Sequence, residues 1–511
     1  MTSAADLVNV PHRGFLSIAT MLAVIMQVLD TTIANVALPS MQGSLGAAQD
    51  TINWVLTSYI VASAIVMPLT GWIADALGRN RLFLISVAGF TLASCLCGMA
   101  GSLTEMVAFR VLQGIFGASL APLSQAVLLD INPRERHGQA MALWGAGIMV
   151  APVLGPTLGG WLTDSFDWRW VFYINVPVGL LAFLGIAFTM PSSPRRHRSF
   201  DFVGFAFLGL FVGALQLMLD RGEQLDWFSS PEIIIEAALA AAALWCFIVH
   251  SATSEHPFIP PQIFRDQNYV AASIFTFAIS VVLLATTALL PPLLQRIMGF
   301  PTVTTGLVLA PRGIGTMIAM LLVGRLLRIV DPRLIIIVGL GLTALGLWGM
   351  TGFAPDMDSW PVIYTGVLMG FGLGLVFVPM STVGFATLPP QLRTESAALY
   401  SLVRNIGSSI GISMVSVVLT RNIQVNHAEL AERMTVFSPG IDAAAHAVGM
   451  KASSGQLVGI LDQITTLQAT MIAYVDDFKL MMWVSIAALP LVFLLCKPKT
   501  TSQAPMIPDT E

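Results

Sequence analysis

Residues 14–38 read GFLSIATMLAVIMQVLDTTIANVAL. The run is long enough to cross a bilayer, which takes about 20 predominantly apolar residues. Asp30 is its one charge, and no other carboxylate in the chain reads as lying so far inside an apolar stretch. A charge at mid-membrane costs about 2.5–3.5 kcal/mol on insertion scales. A chain carries that cost when the group is paired, faces water, or spends part of its time protonated. Each option points to transport rather than to a passive anchor.

The rest of the composition agrees. Of 511 residues, 55% are hydrophobic and 11% charged, with a mean hydropathy of +0.78. A soluble domain carries about 25% charged residues, and this chain would expose large sticky patches in water. The repeated apolar runs define an all-α polytopic membrane protein. A net charge of −4 gives no sign of nucleic-acid binding. Cys95, Cys97, Cys246 and Cys496 all lie in apolar runs, against a disulfide framework and against zinc. The first apolar run is too long for a cleavable signal and leads straight on into further spans.

The sequence predicts fourteen helices, at 14–38, 52–74, 82–101, 103–128, 138–162, 170–190, 202–220, 232–250, 270–292, 302–325, 333–353, 360–380, 394–420 and 478–496. One set of alternate loops plus both termini holds fifteen Lys and Arg residues, from Arg13 to Lys499. The short loops opposite hold Arg169, Arg221 and Arg296. The positive-inside rule then puts both termini in the cytoplasm.

The helices group as six, two and six. Residues 1–13 read as a cytoplasmic amino terminus, 14–190 as an amino-terminal bundle, and 191–269 as a linker with two extra helices. Residues 270–496 read as a carboxy-terminal bundle, and 497–511 as a cytoplasmic tail. The first break is Pro191-Ser192-Ser193-Pro194-Arg195-Arg196-His197-Arg198, polar and rich in proline and charge. The two blocks look related. The second helix of one ends in Gly71 to Arg81, that of the other in Gly324 to Asp331. The fifth helices carry Gly155-Pro156-Thr157-Leu158-Gly159-Gly160 and Gly407-Ser408-Ser409-Ile410-Gly411. Same-orientation repeats suggest two bundles rocking about a central site.

These residues resemble the major facilitator superfamily, and more narrowly its fourteen-helix drug:proton antiporters of the EmrB/QacA type, over nearly the whole chain. Leu29-Asp30-Thr31-Thr32 through Leu38-Pro39 resembles that family's first-helix signature. Gly71 to Arg81 resembles the superfamily's loop 2–3 motif, and Arg110-Val111-Leu112-Gln113-Gly114 its fourth-helix motif. Gly155-Pro156-x-x-Gly159-Gly160 resembles the antiporter motif, with Ala142 and Ala151 standing where that motif has two further glycines. Trp168-Arg169-Trp170-x-Phe172-x-x-Asn175-x-Pro177 resembles a fourteen-helix pattern. The resemblance implies the major facilitator fold and proton-driven export from a bacterial inner membrane.

Asp30 lies nine residues from Pro39 at the outer end of its helix, about 13 Å. Arg110 lies eight residues from Ser102, about 12 Å. The two opposite charges therefore share a depth. Burial favours the neutral form of a carboxyl and a nearby guanidinium the charged form, a balance suited to carrying a proton. The competing reading is a structural ion pair. Asp75, Arg79 and Arg81, spaced by Gly71 and Gly78, read as a cytoplasmic gate. In it, Asp75 would accept from a helix N-terminus or an arginine of the other bundle. Gly155, Pro156, Gly159 and Gly160 give a kinked small-residue face that seals one bundle against the other or serves general packing. Arg312 and Arg404 lie about 16 Å inside their spans. They meet a cavity, backbone carbonyls or an anionic substrate, or serve structure alone. Gln27, Gln113 and Gln125 line the cavity or bond between helices. The outer loop 421–477 carries Leu457, Ile460, Leu461, Ile464, Leu467 and Met471 at helical spacing. It reads as an amphipathic helix that runs into the last span and docks a periplasmic adaptor, and through it an outer-membrane channel, or lies on the protein's own mouth or in the interface.

No G-x-x-x-x-G-K-[ST] occurs, so the energy source is an ion gradient and no cofactor is expected. No nucleophile or metal constellation appears, and an enzyme is not expected. The reading is a proton-coupled exporter of amphipathic or apolar toxic compounds. Its rivals are an exporter of one metabolite on the same fold, and a non-transporting sensor or scaffold.

Overall fold

The computed structural model describes residues 12–48, 51–193, 195, 199–432 and 455–495. The first eleven residues, much of the basic linker with Arg196 and Arg198, residues 433–454 with Lys451, and the tail with Lys497 and Lys499 lie outside the described residues.

Fourteen helices among the described residues are long and apolar enough to span a membrane: α1 Arg13–Leu45, α2 Trp54–Leu77, α3 Arg79–Met99, α4 Leu103–Ile131, α5 His137–Ser165, α6 Trp170–Thr189, α7 Phe202–Arg221, α8 Pro231–Thr253, α9 Gln267–Ile297, α10 Val303–Leu326, α11 Pro332–Met350, α12 Ser359–Ala386, α13 Pro390–Glu432 and α14 Gln456–Leu494. The all-helical fold expected from the apolar runs is the one observed.

Local chemistry sets several ends. Ser102 caps α4 by accepting from the Glu105 N–H at 3.3 Å, while Glu105 Oε2 accepts from the Gly101 N–H at 2.9 Å, a capping-box arrangement. Asp266 caps α9 and Asp331 caps α11. Asp201 caps α7 through the Gly204 N–H, and also accepts from the Phe258 N–H and meets His250 Nε2 at 2.9 Å. One carboxylate thus ties the start of α7, the end of α8 and the chain that follows. Gly78 turns the chain between α2 and α3 with φ +88°, a conformation that L side chains rarely adopt.

The last two spans differ most from the sequence reading. α13 runs on to Glu432, and α14 begins at Gln456 rather than near 478. The amphipathic stretch runs into the last span as one continuous helix, as expected, because no Gly or Pro interrupts residues 460–489. Asp476 and Asp477 therefore lie inside a span, so Asp30 is not the one carboxylate so placed.

α1–α6 pack as one bundle and α9–α14 as another. The seam between them is made by α5 against α10, and by α2 and α4 against α13. The face that carries the start of α1 and the end of α14 is the terminal face, and the opposite one the far face. On the terminal face the seam is tightly closed. A Cβ built on Gly138 would stand 2.9 Å from Leu327 Cδ1, and one on Gly324 2.8 Å from Ala142 Cβ. The packing of α13 on α2 is concentrated in residues 67–77, the half of α2 nearer this face.

Towards the far face α7 enters the seam. It packs on residues 54–66 of α2 and reaches α13 through Gln216 Nε2, which donates to Ser409 Oγ at 2.7 Å. Ser413 Oγ donates to the Leu219 carbonyl at 2.5 Å, and Asp220 accepts from Thr57 of α2. α7 of the inserted pair is thus part of the seam, while α8 packs on α7.

Candidate functional site

Asp30 and Arg110 meet. Arg110 Nη1 donates to Asp30 Oδ2 at 2.6 Å, and both side chains are 0% exposed. Gln113 Nε2 and Asn175 Nδ2 donate to Asp30 Oδ1 at 2.8 and 2.7 Å. The carboxylate therefore accepts three hydrogen bonds, one of them charge-assisted, the strong kind. Arg110 also donates through Nε to the Val55 carbonyl at 2.9 Å and through Nη1 to Gln113 Oε1 at 2.7 Å. Its guanidinium lies over Tyr59, 4.6 Å from the ring centroid, and beside Phe172 at 5.6 Å. Asn175 is held in turn, donating to Ser94 Oγ at 2.9 Å, and Ser94 donates to the Phe172 carbonyl. Five helices of the first bundle supply these groups: α1, α2, α3, α4 and α6. Two buried polar atoms of the network, Arg110 Nη2 and Asn175 Oδ1, make no hydrogen bond. The network closes around the carboxylate, not around the whole site.

A second cluster bridges the bundles at the terminal face. Arg79 at the head of α3 pairs with Asp130 at the end of α4, and Arg393 of α13 pairs with the same carboxylate at 2.6 Å. Arg79 Nη2 also donates to the Pro390 carbonyl at 3.3 Å. Asp130 is thus an acid that meets an arginine of the other bundle. Asp75 lies half-buried on the last turn of α2, and Arg81 is exposed. Gly71 lies directly under α13: a Cβ there would stand 2.8 Å from Glu395 Cβ and 2.9 Å from Glu395 Cα. Backbone cannot yield as a side chain does. Gly71→Val should therefore hold the terminal face open and reduce export to background, with insertion intact. Gly160→Ala, where nothing lies within 4 Å, is the matched control. Wild-type export from Gly71→Val would show that this approach is dispensable.

Of the two roles expected of the Gly155 stretch, sealing the bundles or general packing, its contacts favour packing within its own bundle. Gly155 packs on Thr32 and Gly159 on Ile33, both of α1 in the same bundle. Residues two apart on a helix face opposite sides, about 200° round. The seam is accordingly met by Val153, which packs on Gly313 of α10, and by Thr157 opposite Gly306. Pro156 sits within the unbroken α5.

Arg312 Nη2 donates to Thr286 Oγ1 at 2.9 Å, Thr287 Oγ1 at 3.2 Å and the Leu283 carbonyl at 3.2 Å, all on α9. Arg404 lies 6.0 Å from the ring of Trp144 in the other bundle, and Trp144 stacks on Phe377 of α12. Neither arginine has an ion-pair partner among the described residues. Gln27 lies one turn before Asp30, and Gln125 is fully buried.

Sequence reasoning missed three participants. Asn175 stood inside the Trp168–Pro177 pattern, but a lone asparagine names no partner. Asp130 fell just beyond the expected end of its helix at 128 and carried no assignment. Ser94 carried no signal at all.

Two helical bundles, a paired insert and a buried acid–base pair define a membrane transporter. A family profile described as Major Facilitator Superfamily matches residues 20–412, and the chain belongs to that superfamily. It is 36% identical over 487 residues to the multidrug export protein EmrB of Escherichia coli (strain K12), covering 94% of this chain and 95% of that protein. It is also 36% identical over 485 residues to the fatty acid resistance protein FarB of Neisseria gonorrhoeae, covering 93% and 95%. The fold matches the human organic anion transporter MFSD10 with a TM-score of 0.59 at 15% identity, over 93% of this chain and all of that one. It matches the proton:xylose symporter XylE with a TM-score of 0.59 at 12% identity, over 94% and 95%. These proteins are transporters, not enzymes.

Proposed function

We propose that this chain exports amphipathic or apolar toxic compounds across a bacterial inner membrane in exchange for protons. The observation that carries the reading is the Asp30–Arg110 pair, a carboxylate and a guanidinium sealed together at 0% exposure inside the spans. The end-to-end match to a multidrug export protein supports the direction and the cargo.

In this reading both termini are cytoplasmic, as the basic loops suggest. The closed terminal face is then the cytoplasmic gate, locked by Arg79, Asp130 and Arg393 and by the approach of α13 to Gly71. A proton arriving from outside neutralises Asp30 and weakens its hold on Arg110. The bundles then rock, cargo enters from the inside, and the proton leaves. Arg110 does not release a proton itself. It positions and tunes the carboxyl. The extended ends of α13 and α14, with Val425 and Val458 exposed, are the surface for a periplasmic adaptor and, through it, an outer-membrane channel.

The test is ethidium efflux from cells overproducing the protein. Efflux is expected, with collapse on adding a protonophore and none on depleting ATP while the gradient is held. Efflux that survives the protonophore would reject the coupling.

A further inference from the structure

The core-facing stripe of α14 runs Tyr474, Asp477, Phe478, Met481 and Ser485, all 4% exposed or less. The spacing is that of one helix face. At the position where the pattern calls for an apolar residue stands Asp477, 0% exposed. Neither of its oxygens has a hydrogen-bond partner.

The charges around it offer no compensation. α14 packs against α13, α11 and α9. On α14 itself, Asp476 pairs with Lys479 at 3.0 Å and Asp462 with His427 of α13. α11 has no ionisable residue between Leu334 and Met350. α9 brings Arg296 at its far end, and that guanidinium acts on Tyr474. α13 carries Arg393, paired with Asp130, and Glu395 at the terminal face, Arg404 against Trp144 of the other bundle, and Arg421, His427, Glu429 and Glu432 towards the far face. The charge that acts on Asp477 is that of Asp476, a like charge. A bare carboxylate is the form such a shell tolerates least.

We propose that Asp477 is a second proton-binding site, separate from the Asp30 pair, holding a proton in the state described and read from the far face. The route we assign to the proton is the neighbouring turn, where the Asp476–Lys479 pair, 37% and 52% exposed, puts two polar groups beside it. Loss of the proton puts an uncompensated charge into the stripe. That turn then moves toward water and unseats α14 from the α11 side, where Phe478 meets Phe353 edge-on at 5.8 Å between centroids. The carboxy-terminal bundle would thereby report the pH of the far side independently of the first bundle.

The test is infrared spectroscopy of the full chain in lipid nanodiscs, following the carbonyl band of protonated carboxylic acids. At neutral pH the wild type and Asp30→Asn should both show a band that Asp477→Asn lacks, and that fades as the pH is raised. Asp477→Glu, which keeps the acid, should retain the band at a shifted frequency, and decides the matter should the asparagine variant fail to fold. A wild-type band that neither substitution alters, or an Asp477-dependent band that persists through alkaline titration, overturns the proposal. Because Asp30→Asn is a separate arm, failure here leaves the Asp30 reading untouched.

Discussion

Asp30→Asn is expected to abolish gradient-driven efflux while the protein still inserts and binds cargo. Asparagine cannot carry a proton, and it also fits badly. Asp30 Oδ1 receives donors from Gln113 and Asn175, and Oδ2 receives Arg110. An amide can turn its NH2 only toward one of these sets, so donor faces donor. Removing one partner of a buried pair leaves the other charge uncompensated, at a cost of about 3–5 kcal/mol. Single variants should therefore lose both stability and transport. Two effects can be separated by removing both charges. Asp30→Asn/Arg110→Gln should recover most of the lost thermal stability, since replacing a whole buried pair is often near neutral. It should recover no efflux. Recovery of efflux in the double variant would make the pair a strut.

Asp130→Asn should have the second large effect. Asp130 is the single acid between Arg79 and Arg393, with a side chain 9% exposed. Without its charge the two guanidinium groups face each other across the seam. With Arg79 20% exposed, solvent screening places the loss below that of a fully buried pair. A roughly 10–100-fold shift of the closed-to-open ratio at the terminal face follows, corresponding to about 1.4–2.8 kcal/mol. Cysteines at Gly138 and Leu327, which touch across the seam, provide the readout. Their cross-linking yield should be high alone and fall sharply with Asp130→Asn. An unchanged yield would mean that the seam is held closed by packing alone.

The fold was legible because the bilayer permits little else. Where every backbone group must bond within its own segment, apolar length and loop charge define helices and their order. Asp30 and Arg110 could be paired from sequence because depth follows from residue count, at 1.5 Å per residue. Rotation about the helix axis was less legible. The Gly155 stretch read as a seal between bundles or as general packing, and Gly155 and Gly159 face α1 while Val153 and Thr157 face α10. Counting residues gives height, but the packing partner sets which side faces whom. Polar partners from distant segments were hidden for the same reason. Asn175 reaches Asp30, and Ser94 reaches Asn175, across helices that the sequence does not order in space. Asp477 was misplaced because the boundary of α14 was set by the hydrophobic run. The helix extends beyond that run, so a carboxylate read as part of a loop lies in the core.

Proteoliposomes with an internal pH indicator test the central claim most directly. Ethidium added outside should alkalinise the lumen in wild-type vesicles, because each dye molecule that enters drives protons out. The account predicts no pH change with Asp30→Asn/Arg110→Gln in the membrane at matched folded amount. A wild-type pH change from that double variant would contradict it.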